Sequence, residues 1–250
     1  MSEKHSYSVQ LYTVRDALES DLAGTIARIA SLGFTQVEPY NFVATADALG
    51  QALRENGLTA PSGHAPLMKD DQRAIFEAAV RLGITTVIDP YLAAENWATR
   101  DQIAQTAAKL NAAAVLGAEY GIRVGYHNHA WEVSTAFDGR TALEVLTDHL
   151  DPAVVLELDT YWAAVGGADP VELLHTLGDR VRFIHIKDGP ISADVTEQLP
   201  AGQGKIAVWD VVAAASALEV GVVEFDAYTG DIFDGLAQSL AFLSGGRVSV

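Results

Sequence analysis

Acidic and imidazole side chains recur toward the carboxyl ends of short apolar runs, and their types suit acid–base or metal chemistry. Side chains alternate across a strand, so residues two apart share a face. In Arg182–Lys187, His185 and Lys187 share the face opposite Ile184 and Ile186. In Val154–Asp159, Glu157 and Asp159 oppose Val154, Leu156 and Leu158. In Val222–Asp226, Glu224 and Asp226 oppose Val223 and Phe225, and from Ile122 to His129, His127 and His129 oppose Val124 and Tyr126. Toward the amino terminus, Gln10 and Tyr12 oppose Val9 and Leu11, and Glu38 and Tyr40 oppose Val37 and Pro39. A hydrogen-bonded polar group at a strand end explains any one of these residues, but not the same pattern repeated on strand after strand.

Several carboxylates gathered in a partly buried place cannot all stay ionised without compensation. Lys187 and Arg15 are the few cations near them in sequence. A bound divalent ion is the economical solution, because it is the largest local charge available. Mixed imidazole and carboxylate ligands suit Mn2+, Zn2+, Co2+ or Fe2+ better than Ca2+, with Mg2+ a further candidate.

The elements that must position these groups alternate along the chain. Strand-like runs cover Tyr7–Tyr12, Gln36–Tyr40, Leu58–Ser62, Thr85–Tyr91, Ile122–His127, Val154–Asp159, Arg182–Lys187 and Val222–Asp226. Helical patterns cover Leu18–Leu32, Asp47–Glu55, Gln72–Leu82, Arg100–Tyr120, Ala142–His149, Pro170–Leu177, Trp209–Leu218 and Phe233–Leu243. A glycine followed by an apolar residue punctuates the junctions: Gly33-Phe34, Gly57-Leu58, Gly83-Ile84, Gly121-Ile122 and Gly221-Val222. Glycine there supplies a left-handed helix cap. Eight such units predict an α/β fold, a (β/α)8 TIM barrel, as one domain over residues 1–250. An open doubly wound sheet would carry a glycine-rich loop after its first strand, where this chain has Thr13-Val14-Arg15-Asp16. In a closed barrel the outward face packs on helices, so the polar set points inward and gathers at the carboxyl-terminal mouth.

Composition narrows the function classes. The 250 residues include 16 basic and 33 acidic side chains, a net charge of −17, and no cysteine. Disulfides, thiolate metal sites and a nucleophilic thiol are excluded, so any ion is held by oxygen and imidazole. The acidic balance opposes nucleic-acid binding, which needs a basic footprint. No secretory pattern opens the chain and no apolar stretch is long enough for a membrane span, so a soluble cytoplasmic protein without a membrane partner is expected.

Four segments carry a family resemblance: Tyr126-His127-Asn128-His129-Ala130-Trp131-Glu132, Leu158-Asp159-Thr160-Tyr161-Trp162, His185-Ile186-Lys187-Asp188 and Gly202-Gln203-Gly204-Lys205. In this order the chain resembles the sugar phosphate isomerase/epimerase family, the xylose isomerase-like TIM barrels of the AP endonuclease 2 superfamily. The resemblance implies a divalent metal held by a Glu on the fifth strand, an Asp on the sixth, a His on the seventh and a Glu on the eighth. The last three map to Asp159, His185 and Glu224. The first does not carry over cleanly, because His127-Asn128-His129 stands where relatives read Glu-Asn-His; His127 is the expected fifth-strand ligand and Glu132 the alternative. Trp162 stands where many relatives have a His. The resemblance also implies a small-molecule partner and frequent association into a homo-oligomer.

The leading expectation is a metal-dependent isomerase or epimerase of a sugar or keto-sugar, working through proton abstraction next to a carbonyl and a metal-stabilised enediolate. Glu132, Glu224 and His127 are the candidate bases, and Lys187 either stabilises an oxyanion or pairs with Glu157. Gln10, Tyr12, Glu38, His64, His129 and Trp162 are the expected substrate contacts. The alternative is a lyase that eliminates water or a glycoside from a keto-sugar, since His127 alters the two-carboxylate design of the epimerases. A non-catalytic sugar-binding barrel is a third reading. The Gly202-Gln203-Gly204 loop suggests a phosphate cradle, but the scarcity of basic residues around it favours a substrate without phosphate.

Overall fold

The computed structural model describes residues 6–245. Eight parallel strands form the sheet: β1 (Ser6–Gln10), β2 (Gln36–Glu38), β3 (Ser62–His64), β4 (Thr86–Asp89), β5 (Arg123–His127), β6 (Val155–Asp159), β7 (Val181–Ile186) and β8 (Val220–Val223). Hydrogen-bonded neighbours run β2-β1-β8-β7-β6-β5-β4-β3. Bridges between Gln36 and Thr59 and between Tyr40 and His64 bring β2 to β3 and close the ring. The predicted TIM barrel is the fold. Among the described residues no helix is long and apolar enough to cross a membrane.

Local sequence explains where the helices start. Thr99 and Gln102 form a reciprocal cap ahead of Arg100–Glu119, and Thr141 and Glu144 do the same ahead of Ala142–His149. Asp169 caps Pro170–Leu177, with proline at the first helical position where no amide hydrogen is needed. The helix expected over Leu18–Leu32 is instead two, Arg15–Ser20 and Leu22–Ser31. Asp21 adopts extended backbone between them, and its carboxylate accepts the Gly24 amide at 2.9 Å.

The third and eighth strands are displaced from expectation for physical reasons. The third lies at Ser62–His64 rather than Leu58–Ser62. Pro61 has no amide hydrogen to donate, and the ladder with β4 begins one residue later, at Ser62 opposite Thr86. The eighth lies at Val220–Val223 rather than Val222–Asp226. Beyond it the Phe225 amide donates to Thr13 Oγ1 and the Asp226 amide to Gln198 Oε1, so the chain leaves the ladder while aiming Glu224 and Asp226 at the mouth. Gly221 therefore lies inside β8 and is not a helix cap. A Cβ there would stand 2.8 Å from Ile186 Cδ1, which explains the glycine by close packing.

The strand parity sorts the core into two layers. Val9, Val37, Val87, Val124, Leu156, Leu158, Ile184 and Val223 face outward and pack under the helices. Ile88, Val155, Phe183, Val220 and Val222 form a separate apolar plug inside the barrel. Burying each such side chain stabilises the fold by roughly 1.5–3 kcal/mol. Below the plug, Arg123 donates to Thr86 Oγ1 and to both oxygens of Glu219 at 2.7 and 2.6 Å. The inside of the barrel is thus closed at one end, and polar groups are left to face the other.

Candidate metal centre

The mouth is built by strand register. His127 on β5 stands opposite Glu157 on β6, and Asp159, two residues on, stands opposite His185 on β7. A register shift between Leu156 and Glu157 turns the end of β6, as bulges beside functional sites often do. All four side chains are buried.

Glu157 Oε2 is the meeting point of three imidazoles: His64 Nε2 at 2.5 Å, His185 Nε2 at 3.1 Å and His127 Nδ1 at 3.2 Å. Glu38 lies beside them, 3.0 Å from His185 Nε2, and is itself fixed by Gln10 Nε2 at 2.8 Å and by the Ser62 hydroxyl. On the other side of the His185 ring, Nδ1 lies 2.6 Å from Glu224 Oε2 and 4.0 Å from Asp159 Oδ2. His127 Nε2 lies 3.9 Å from the same Asp159 oxygen. Lys187 Nζ sits 2.9 Å from Asp159 Oδ2, 2.7 Å from Glu224 Oε2 and 2.9 Å from Asp226 Oδ2.

The electrostatics follow from this packing. Burial opposes the charged form of Lys187, but Asp159, Asp226 and Glu224 hold its ammonium well above the usual lysine range. Burial also opposes the charge on Glu224, yet Lys187 and His185 keep its carboxyl well below the usual range. Burial, then the neighbouring His185, pushes His127 well below the usual histidine range, so its ring is neutral.

Among the described residues two overlapping groups have metal-ligand chemistry and spacing: His64, His127, Glu157 and His185, and Asp159, His185 and Glu224. Of their buried oxygens, Glu157 Oε1 makes no hydrogen bond, and Asp159 Oδ2 has the Lys187 ammonium at 2.9 Å in place of one. A buried carboxylate oxygen without a donor is costly, and mixed imidazole and carboxylate donors suit a transition-metal or zinc ion. The residues present therefore fit a divalent ion.

Above this floor lies a cavity of about 350 Å3. Tyr12, Tyr40, Asn41, Pro90 and Tyr91 form its rim, while His64, His127, His129, Lys187, Glu224 and Asp226 line it below. Tyr12 is 41% exposed and meets Tyr40 edge to face at 5.3 Å. His129 lies flat on Trp131, with ring centres 4.5 Å apart. Burial, then Lys187, pulls His129 down to about 4, and its Nδ1 is buried without a hydrogen-bond partner.

Of the side chains singled out from sequence, Tyr12, His64, His127, His129, Lys187 and Glu224 line the cavity, with Asp159 and His185 buried against them. Gln10 and Glu38 lie beneath, bonded to one another. Trp162 stands to the side, its indole N–H donating to Asp226 Oδ2 at 3.2 Å. Glu132 is not brought to the mouth. Its carboxylate accepts the Tyr126 hydroxyl at 2.7 Å and the His129 amide at 2.9 Å, and Tyr126 belongs to the outward-facing layer. Burial raises Glu132 to about 7. The Gly202-Gln203-Gly204 loop is no phosphate cradle: the amides of Gly202 and Gly204 both donate to Asp188 Oδ2 at 2.9 Å, so a carboxylate of the chain already fills it. Glu157 shares the inward face with Asp159, but its place at the centre of three imidazoles depends on side chains from β3, β5 and β7.

Comparison with known proteins agrees with this architecture. The structure superposes on a sugar phosphate isomerase/epimerase from Parabacteroides distasonis with a TM-score of 0.81 and 21% identity, covering 96% of this chain and 94% of the other. It superposes on the IolI protein with a bound zinc atom with a TM-score of 0.74 and 14% identity, covering 98% of this chain and 100% of the other. In sequence, 89 residues are 39% identical to an inosose dehydratase of Geobacillus kaustophilus, a stretch that is 35% of this chain and 27% of that relative. The xylose isomerase-like TIM barrel family matches residues 26–228. With that match spanning most of the barrel, the chain belongs to the xylose isomerase-like TIM barrel family.

Proposed function

We propose that the protein is a divalent-metal-dependent lyase that removes water from a small keto-sugar or keto-cyclitol. One observation carries this reading over epimerisation. A two-base epimerase needs free carboxylates on the fifth and eighth strands, whereas the fifth-strand position here is His127, held by Glu157, and Glu132 faces away. The likeness to an inosose dehydratase supports the same choice, although the matched stretch is short.

His127, Asp159, His185 and Glu224 would hold the ion. When bound, it supplies positive charge that stabilises a developing oxyanion beside the reacting carbon. Tyr12, Tyr40 and Tyr91 provide apolar faces for a ring, and Lys187, permanently charged, stabilises negative oxygen without giving up its proton. Glu224 Oε2 already faces His185 Nδ1 and Lys187 Nζ, so it is a poor proton acceptor. His129 is neutral and lines the cavity. It takes the proton from the carbon next to the carbonyl and delivers it to the departing hydroxyl. One C–H and one C–O bond break, a C=C bond forms, and one water leaves.

The test is turnover of a keto-cyclitol and a set of keto-sugars by metal-replete protein in D2O. The expected product is a conjugated enone one water lighter than its substrate. Deuterium exchange with the substrate's atoms otherwise retained would restore the isomerase or epimerase reading.

A further inference from the structure

Building on the ion site proposed above, we infer that Glu157 is a positioning residue that sets opposite ring tautomers in His127 and His185 for ion binding. Its Oε2 faces His127 through Nδ1 at 3.2 Å but faces His185 through Nε2 at 3.1 Å, where Glu38 Oε1 stands beside it at 3.0 Å. A carboxylate oxygen accepts and has no proton to give, so the facing nitrogen of each ring carries the hydrogen. A ring that binds an ion carries only one, so in the ion-loaded protein the far nitrogens, His127 Nε2 and His185 Nδ1, are left for the ion; without the ion, His185 Nδ1 faces Glu224 Oε2 at 2.6 Å and carries a hydrogen there too.

Those far nitrogens share one neighbour, Asp159 Oδ2. They lie 3.9 and 4.0 Å from Asp159 Oδ2, and His185 Nδ1 lies 2.6 Å from Glu224 Oε2. With bonds of about 2 Å, atoms around one tetrahedral ion are roughly 3–4 Å apart. One carboxylate thus prepares two ligands from neighbouring strands, and the strand register puts it there, with His127 beside Glu157 and His185 beside Asp159. His64 Nε2, 2.5 Å from the same oxygen, reaches in from β3 and holds the carboxylate in place. Carboxylate partners of ligating histidines fix ring orientation and raise ligand basicity. On this assignment the His64, His127, Glu157 and His185 group is the support of a single ion and not a second ion site.

The experiment is long-range 1H–15N NMR of histidine side chains in the Zn2+-loaded protein, with Zn2+ titrations of wild type, E157Q and E157D. The expected spectrum shows zinc on His127 Nε2 and His185 Nδ1, with hydrogen kept on the other nitrogen of each, at one zinc per chain. E157Q places an amide N–H among the rings and is expected to bind zinc 10–100-fold more weakly. E157D, which keeps the carboxylate, is expected to recover part of that loss. Zinc on His127 Nδ1 or His185 Nε2, two zinc ions per chain, or unchanged affinity in E157Q would each overturn the assignment while leaving the ion-dependent reading intact. No zinc binding by wild type would overturn both. If E157Q does not fold, the wild-type spectrum and E157D still decide.

Discussion

His185 sits between two carboxylates, with Nδ1 2.6 Å from Glu224 Oε2 and Nε2 3.1 Å from Glu157 Oε2. The ring is therefore fixed from both sides, and the two carboxylates face different parts of the barrel. Glu224 lines the cavity, whereas Glu157 lies buried among imidazoles.

From this division, Glu224→Gln is expected to weaken divalent-ion binding at least tenfold and to abolish measurable turnover. The amide gives up the negative charge that an ion needs beside Asp159 and His185. Metal analysis of the purified variant, with activity at saturating Mn2+ or Zn2+, checks it. Unchanged binding would remove Glu224 from the ion site.

Lys187→Met tests a competition. The ammonium lies within 2.9 Å of Asp159, Glu224 and Asp226, so its removal leaves these carboxylates without their cation. The ion-free protein is expected to lose about 3–5 kcal/mol of stability, while affinity for a divalent ion rises. Turnover is expected to fall by about 10²-fold or more, the scale seen when an oxyanion donor is removed. Isothermal titration with Zn2+ and urea unfolding read the two effects, and weaker ion binding would contradict the competition.

Glu132 separates a positioning role from proton transfer. Glutamine can still accept one of the two hydrogen bonds that now reach Glu132 from the Tyr126 hydroxyl and the His129 amide. Glu132→Gln is therefore expected to retain activity within about tenfold, whereas loss of a general base costs roughly 10²–10⁴-fold. Steady-state kinetics distinguishes them.

Asp89 gives a pH dependence of stability away from the ion site. Burial raises its carboxyl to about 6, although the Met68 and Tyr91 amides donate to it. Because the folded value exceeds the unfolded one, its contribution is fully present below about pH 4 and is lost as pH rises through about 6, at roughly 1.4 kcal/mol per unit. Asp89→Asn lacks this titration. The stability of wild type relative to the variant is expected to fall by roughly 2–3 kcal/mol between pH 4 and pH 6.5, read by urea unfolding at each pH. A constant difference would contradict the raised value.

Much of the site was legible because alternation along a strand is a local property. Glu224, Asp159, His185 and His127 fall on one face by parity alone, and a closed barrel sends that face inward. Parity equally put Glu157 on that face, but its three imidazole partners come from other strands, and only register brings them together. Glu132 was misleading for a related reason: its distance along the chain from His127 says nothing about the outward-facing Tyr126 hydroxyl that binds it. The third strand moved because Pro61 removes a ladder donor, and the glycine rule failed at Gly221 because side-chain crowding between strands gives glycine a second use.

The most direct measurement of the central claim is an anomalous difference map from crystals grown with Mn2+ or Zn2+. The predicted result is one peak bonded to His127, Asp159, His185 and Glu224, beneath the cavity that holds His129 and Lys187. A peak among His64, His127 and Glu157 with Glu224 unbound, or no peak at saturating ion, would contradict it.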